Sequence, residues 1–127
     1  MGIKRAIDAA ALEAPRRQEA GELLGRYSFP ADFPGFAGHF PGAPIVPAVV
    51  QLRTVQALFE RAAGRSYTLL GVDNAKFLLR LQPEEEIEVS CRERQGGLEP
   101  VVEGKLRVQG ALAASFVLRL AAAGETP

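Results

Sequence analysis

One stretch of the chain has the length and composition of an α-helix. Residues 47–63, PAVVQLRTVQALFERAA, open with a proline, which is tolerated in a first helical turn, and Gly64 follows as a stop signal. Apolar side chains stand at positions 49, 50, 52, 55, 58, 59 and 62. They cover more than one narrow stripe, which predicts a helix surrounded by other structure on most sides. Arg53, Gln56 and Glu60 form its polar seam.

The sequence after this helix is rich in predicted strands. Apolar and polar residues alternate there with the period of a strand that buries one face. One more strand is predicted before the helix and ends at Pro30. The predicted strands are residues 21–29, 67–81, 86–93, 102–108 and 112–120. The segment 67–81 reads as one long strand or a bent pair, interrupted at the turn-like Asp73-Asn74. Gly96-Gly97 and Gln109-Gly110 predict the turns between the last three strands.

These elements indicate an α+β domain in which an antiparallel sheet wraps around one long central helix. At 127 residues the chain has the size of one domain, which we expect to span residues 1–127. Within it, residues 1–18 are weakly patterned, as a surface segment or short helix, and residues 121–127 form a tail. A free sheet edge would favour pairing with a second copy.

Charge and composition exclude several classes of function. The 15 basic and 15 acidic residues cancel and are interleaved, so a nucleic-acid groove is not expected. No apolar run is long enough for a membrane span, and the N-terminus lacks a secretory h-region. The lone Cys91 excludes an internal disulfide and suits a reducing cytoplasm, where we expect it to be a buried small hydrophobe. With one His and one Cys, no metal site or redox cofactor is expected.

Residues 38–52, GHFPGAPIVPAVVQL, carry the most specific motif of the chain. They resemble the signature His-Phe-Pro-x-x-Pro-x-x-Pro-Gly-Val of the β-hydroxyacyl-acyl-carrier-protein dehydratases, which have the hot-dog fold. The segment 75–89, AKFLLRLQPEEEIEV, is similar to that family's Lys-Phe strand and the strand after it. The closest likeness is to short dehydratase-like proteins of acyl and aryl-polyene synthesis. The resemblance covers roughly residues 20–120.

The resemblance implies a homodimer or larger assembly with an acyl chain in a tunnel near the subunit interface. The acyl group would be a thioester of acyl-carrier protein or of CoA. A histidine from one subunit and an acidic residue on the partner's helix would act together. By register the histidine is His39, and the acid should stand fourteen residues later, where this chain has Arg53. Ala48 replaces the glycine that usually opens the helix.

Dehydration of a 3-hydroxyacyl thioester requires a base, an acid and donors for the thioester oxygen. His39 suits the base, because a neutral imidazole accepts a proton near neutral pH. The helix start has no side-chain acceptor at Val46, so the N–H groups of Ala48, Val49 and Val50 are predicted to lack a cap and to be open to the thioester oxygen. Further substrate contacts are predicted at Phe40, Pro47 and Gln56. The loop phenylalanines, Phe33, Phe36 and Phe40, are predicted either to line the tunnel or to anchor the loop.

Arg53 leaves three functions open. A guanidinium stays protonated and cannot replace a carboxyl as the acid. In the first, the chain is a dehydratase or isomerase that uses His39 with a carboxylate or water recruited from elsewhere, with Asp32 and Asp73 as candidates, and Arg53 orients a polar acyl group. Alternatively, His39 activates water for thioester hydrolysis, with Arg53 at the oxyanion. The third reading is a non-catalytic acyl-binding or partner subunit in which Arg53 forms an ion pair.

Overall fold

The computed structural model describes residues 2–34, 45–94 and 97–123. The predicted site residues His39 and Phe40, the loop residue Phe36 and half of the Gly96-Gly97 turn lie outside these ranges. In chain order the elements are α1 (Ile3–Ala9), β1 (Arg16–Arg17), a 3₁₀ turn (Glu19–Gly21), β2 (Glu22–Tyr27), α2 (Ala48–Ala63), β3 (Tyr67–Phe77), β4 (Ile87–Glu93), β5 (Val101–Val108) and β6 (Ala111–Ala122).

The strands form one six-stranded antiparallel sheet in the order β1-β2-β4-β5-β6-β3. Helix α2 packs against α1 and against every strand from β2 to β6. A single apolar helix can be covered so completely only by a strongly twisted sheet that curls around it. The predicted α+β architecture, with a sheet around one long helix, is therefore confirmed.

Helix α2 differs from its prediction at its first turn. It begins at Ala48, and Pro47 is the N-cap in extended geometry, with φ −64° and ψ 154°. Val49, one of the apolar positions predicted to be covered, is 54% exposed, whereas the next residue, Val50, is fully buried. The helix ends as predicted at Gly64, whose φ of 72° is the left-handed conformation that glycine adopts without steric cost.

The core forms between α2 and the inward face of the sheet. On β4 and β5 the predicted inward residues Ile87, Val89, Cys91, Val102 and Leu106 are all buried. On β5 the helix comes close enough to exclude a side chain at Gly104, where an added Cβ would lie 2.7 Å from a methyl group of Val55. The alternation read from the sequence thus identifies the buried face correctly.

Strand β3 is one continuous strand with two irregularities rather than a bent pair. Its pairing with β6 shifts register between Leu69 and Gly71 and again between Asp73 and Lys76. At the second shift Asn74 has a φ of 53°. Such bulges absorb an extra residue without ending the strand, which explains why a turn-like sequence does not break it. The strand ends at Phe77, four residues before the predicted boundary at 81.

The weakly patterned N-terminal segment contains a short helix. Helix α1 buries Ala6 and Ile7 against the core and contacts α2. No helix in the described ranges is long and apolar enough to cross a membrane.

Candidate functional site

The first turn of α2 contains two backbone donors that have no acceptor in the described part of the chain. Pro47 supplies no side-chain cap, but its carbonyl accepts the N–H groups of Val50 and Gln51, at 3.0 and 3.1 Å. The prediction of three uncapped donors is therefore wrong for Val50, because a tight turn satisfies its N–H. Within the described residues, the N–H groups of Ala48 and Val49 have no acceptor. Both N–H groups belong to the positive end of the helix dipole.

A cavity of about 650 Å³ opens beside this helix start. It lies between the first turn of α2 and the chain that follows β3. Its walls are mostly apolar and are formed by Ile45, Val46, Pro47, Ala48, Gln51, Phe77, Leu78, Leu79, Arg80 and Leu81. The two walls are joined by a hydrogen bond from the Val46 N–H to the Leu81 carbonyl, at 2.7 Å. Its volume is in the range typical of pockets for small organic ligands.

Gln51 is the buried polar residue of this cavity wall. It is only 5% exposed, and its Nε2 donates to the Val46 carbonyl at 3.1 Å. Its Oε1 is buried, with no partner among the described residues. Sequence reasoning did not single out Gln51. The available signal was a polar residue inside an apolar helical run, beside the predicted oxyanion donors.

Arg53 and Gln56 lie in a different cavity. This cavity, of about 140 Å³, lies between α1 and α2 and is lined by Ile3, Lys4, Ile7, Arg53, Gln56 and Glu60. The Arg53 Nη1 donates to Gln56 Oε1 at 2.8 Å, and Gln56 Nε2 donates to the Tyr67 carbonyl at 3.0 Å. The structure thus brings Pro47 and Ala48 together at one cavity, and Arg53 and Gln56 at another.

Glu60 lines the same cavity as Arg53 and is held there by other groups. Its Oε2 accepts the Tyr67 N–H at 2.7 Å, and its Oε1 lies 3.3 Å from Lys4 Nζ. Glu60 is 6% exposed, so this carboxylate closes the contact between α1, α2 and β3. Its partners give it a structural role at that junction.

The other candidate carboxylates do not line the cavity at the helix start. Asp73 forms an ion pair with Arg119, Oδ2 to Nε at 3.0 Å, on the sheet surface. Asp32 lies beside Phe33 at a separate cavity near α1. Phe33 itself is 3% exposed and packs edge-to-face on Phe29, with ring centroids 4.8 Å apart. This contact supports the loop-anchor alternative for Phe33.

Cys91 is a core residue, as predicted. It is 2% exposed, and burial raises the pKa of its thiol to about 12. Among the described residues, no group of three or more His, Cys, Asp or Glu side chains is arranged to hold a metal ion.

We expect the Cys91 thiol to react with an aromatic disulfide reagent at about pH 8 far more slowly in the folded protein than in concentrated guanidinium chloride, because only the thiolate is nucleophilic. The raised pKa also has a consequence for stability. The unfolded chain loses the thiol proton first as the pH rises above 9.0, so this contribution to stability is complete below that pH and is lost as the pH approaches about 12. Rapid labelling of the folded protein would contradict the buried, neutral thiol.

Strand β3 forms an apolar edge of the sheet next to the larger cavity. It pairs with β6 on one side and is the last strand in the sheet order. Along it and just after it, four large apolar side chains are 45–56% exposed: Leu70, Phe77, Leu78 and Leu79. An edge of this kind is suited to pairing with another chain.

Comparison with known proteins places this architecture in a family. The family model ApeI-like, described as ApeI dehydratase, matches residues 15–109. The chain belongs to the ApeI-like dehydratase family. The match includes the His-Phe-Pro motif, the helix start and strands β2 to β5, so the ApeI-like signature spans the larger cavity as well as most of the sheet.

This ApeI-like chain is also similar to curated 3-hydroxyacyl-[acyl-carrier-protein] dehydratases named FabZ. The protein from Cereibacter sphaeroides is 33% identical over 94 residues, which cover 64% of this chain and 59% of the relative. The chain thus spans less than two thirds of that relative. The protein from Streptococcus equi subsp. zooepidemicus is 32% identical over 97 residues, which cover 69% of each chain.

Solved structures show the same fold. The dehydratase heterocomplex ApeI:P from Xenorhabdus doucetiae matches with a TM-score of 0.70 and 17% identity, covering 87% of this chain and 96% of the other. The E. coli PaaI protein from the phenylacetic acid degradation operon matches with a TM-score of 0.68 and 14% identity, covering 94% and 88%. The hot-dog fold predicted from the sequence is confirmed.

Proposed function

We propose that this chain is a dehydratase of 3-hydroxyacyl thioesters whose acyl group is carried by acyl-carrier protein or CoA. The observation that carries the proposal is the cavity of about 650 Å³ at the start of α2. Its apolar walls suit an acyl chain, and Ala48, whose N–H has no acceptor among the described residues, is one of the residues that line it. The His-Phe-Pro motif ends at residue 41, only seven positions before Ala48.

The reaction assigns a role to each group. His39 removes the proton from C2 of the substrate, and that electron pair forms the C2–C3 double bond as the C3 hydroxyl leaves with a proton as water. Negative charge develops on the thioester oxygen in the transition state. The N–H groups of Ala48 and Val49, with the positive end of the α2 dipole, would stabilise that charge.

The proton for the departing hydroxyl needs a separate source. Arg53 is not placed to supply it, because its guanidinium donates to Gln56 in the smaller cavity, away from the larger one. Among the described residues, no carboxylate lines that cavity. We infer that a carboxylate or water from elsewhere supplies the proton, and that the partner subunit brings it to the site.

A homodimer or larger homo-oligomer is part of the proposal. The exposed edge of β3 carries Leu70 and Phe77, and the cavity beside it is walled in part by the residues that follow β3. Pairing two β3 edges would bury this apolar surface and place a second copy beside each cavity. The site would then be completed by both subunits.

A partner subunit without catalysis of its own is the second candidate. The residue expected to be acidic is Arg53, and the solved relative from Xenorhabdus doucetiae is a dehydratase heterocomplex. A thioesterase using His39 to activate water is the third. The thioesterase would need Arg53 near the helix-start donors. Arg53 lies in the smaller cavity, so this contact is not present within the described chain.

The three candidates differ in their products. The purified chain should be incubated with 3-hydroxyacyl and saturated acyl thioesters of a carrier protein and of CoA. Loss of water from the hydroxyacyl thioester supports the proposal, whereas free thiol from the saturated thioester supports a thioesterase. If neither product forms but the chain still binds the carrier, the result identifies a partner subunit and overturns the proposed activity.

Replacing Arg53 by glutamate is expected to raise dehydration at least tenfold, because the family resemblance places the acid at this position on the helix of the second subunit, and a positioned acid commonly contributes about 10²–10⁴-fold. Arg53→Gln is the matched control, since glutamine can accept and donate hydrogen bonds but cannot supply the proton. The measurement is the initial rate of enoyl thioester formation by each variant. An equal loss of rate in both variants would instead assign a working role to the guanidinium.

A further inference from the structure

We propose that Gln51 is a specificity-determining residue: its Oε1 accepts a hydrogen bond from a hydroxyl group on the acyl chain in the larger cavity. The inference rests on the proposed function, since it assumes that the cavity at the start of α2 takes an acyl thioester. It goes beyond that function by naming the residue that distinguishes a hydroxylated chain from a plain one.

Gln51 carries a buried acceptor that lacks a partner among the described residues. Gln51 is 5% exposed, and its Oε1 has no partner among the described residues. Buried polar atoms are nearly always hydrogen-bonded, because an unpaired one has lost its water without replacement. A ligand that brings a donor to this oxygen recovers that loss, whereas a ligand without one does not.

The orientation of the Gln51 amide is fixed by the protein. Nε2 donates to the Val46 carbonyl at 3.1 Å, and the Val46 N–H is itself bonded to the Leu81 carbonyl at 2.7 Å. These bonds hold the segment before α2, the first turn of α2 and the segment before β4 together. One N–H of the amide is thereby used by the Val46 carbonyl, which fixes the orientation of the side chain. The amide oxygen is the atom of Gln51 that has no partner among the described residues.

The wall around Gln51 offers few other polar side chains. Apolar side chains dominate it, including Val46, Phe77 and Leu79, and Arg80 can only donate. Among the described lining residues, Gln51 is the one whose side chain can accept a hydrogen bond. A wall with one side-chain acceptor fits an acyl chain that carries one hydroxyl donor.

Gln51 lies close to the donor at the helix start. It lies three residues after Ala48, so at helical rise the two Cα atoms are separated along the axis by about 4.5 Å. The thioester oxygen and the 3-hydroxyl of one acyl group are a few bonds apart. One ligand can thus place its carbonyl oxygen at the Ala48 N–H and its hydroxyl towards Gln51.

The test measures binding of three pantetheine thioesters with equal chain lengths: 3-hydroxyacyl, 3-fluoroacyl and saturated acyl. Fluorine is close to hydroxyl in size but cannot donate a hydrogen bond. Dissociation constants are measured in a His39→Ala background to prevent turnover. We expect the hydroxyacyl thioester to bind about tenfold more tightly than either of the other two. This comparison changes only the ligand, so it does not depend on whether a further variant folds.

The protein side of the test is Gln51→Met, which keeps the side-chain length and removes the acceptor. We expect it to bind the three thioesters equally. Thr54→Val is the matched control, because Thr54 is also buried and polar on α2 but its hydroxyl already donates to the Val50 carbonyl at 2.7 Å. This control should keep the tenfold preference for the hydroxyacyl ligand.

The outcomes separate this inference from the proposed function. A preference that survives in Gln51→Met overturns the role of Gln51, while dehydration by the unaltered chain would still support the proposed function. An equal loss of affinity for all three thioesters also overturns it, since Gln51 would then contact the carrier amide they share. If none of the thioesters binds, both the inference and the proposed site fail.

Discussion

Replacing His39 by alanine is expected to slow dehydration of a 3-hydroxyacyl thioester by a factor of about 10²–10⁴, the usual contribution of a positioned general base. His39 is the only histidine in the chain, so no second imidazole can take over the proton transfer. The measurement is the initial rate of enoyl thioester formation at saturating substrate. Because the proposal gives Arg53 no role in proton transfer, replacing His39 should cause the largest loss of this rate among single substitutions.

Two controls define what this loss means. His39→Gln keeps a neutral side chain with hydrogen-bonding groups but cannot accept the C2 proton, so it should be as inactive as alanine. The thermal midpoint of both variants should stay near that of the parent protein. Activity restored by glutamine would show that the residue positions the substrate and does not act as the base.

Replacing Leu58 by alanine is expected to lower the free energy of unfolding by about 2–5 kcal/mol. Leu58 is fully buried, and a Cβ at Gly25 of β2 would lie 2.8 Å from its Cδ1, so its side chain fills the contact between α2 and the sheet. The loss combines the transfer energy of the removed methyl groups with the cavity left behind. Chemical denaturation at one fixed protein concentration measures it, because association with a second copy would itself change the apparent stability.

Leu98→Ala is the matched control for Leu58→Ala. It makes the same chemical change at a fully exposed position between β4 and β5, and it should alter the free energy of unfolding by no more than about 0.5 kcal/mol. Similar losses at both positions would contradict the central position of α2. A change in the denaturant slope for Leu58→Ala would instead point to an altered unfolded state.

The central helix and the inward faces of the strands could be predicted because both follow from local rules. Side chains on a strand alternate between two faces, so Val102 and Leu106 had to share one side of β5. Proline before the helix and Gly64 after it limited its length. The turn at Gln109-Gly110 was also predicted from residue type. The structure has positive φ values of 49° and 83° at these two residues, as a tight hairpin turn requires.

Other features depended on contacts between distant parts of the chain. The Asp73-Asn74 pair has the composition of a turn, but hydrogen bonds to β6 on either side of it keep β3 continuous through a bulge. Helix α1 has little pattern of its own and is defined by the burial of Ile7 against the core. The Val50 N–H found an acceptor in the Pro47 carbonyl, a detail of helix-start geometry that no residue type specifies.

The candidate site divides along the same line. The sequence by itself determined the type of fold and the motif around His39, because periodicity and the order of residues are properties of the chain alone. Only the tertiary structure decided which side chains share a cavity: Ala48 with Gln51 at the helix start, and Arg53 with Gln56 beneath α1. Residues a few positions apart on one helix point in different directions, and the elements packed against each face determine which cavity they enter.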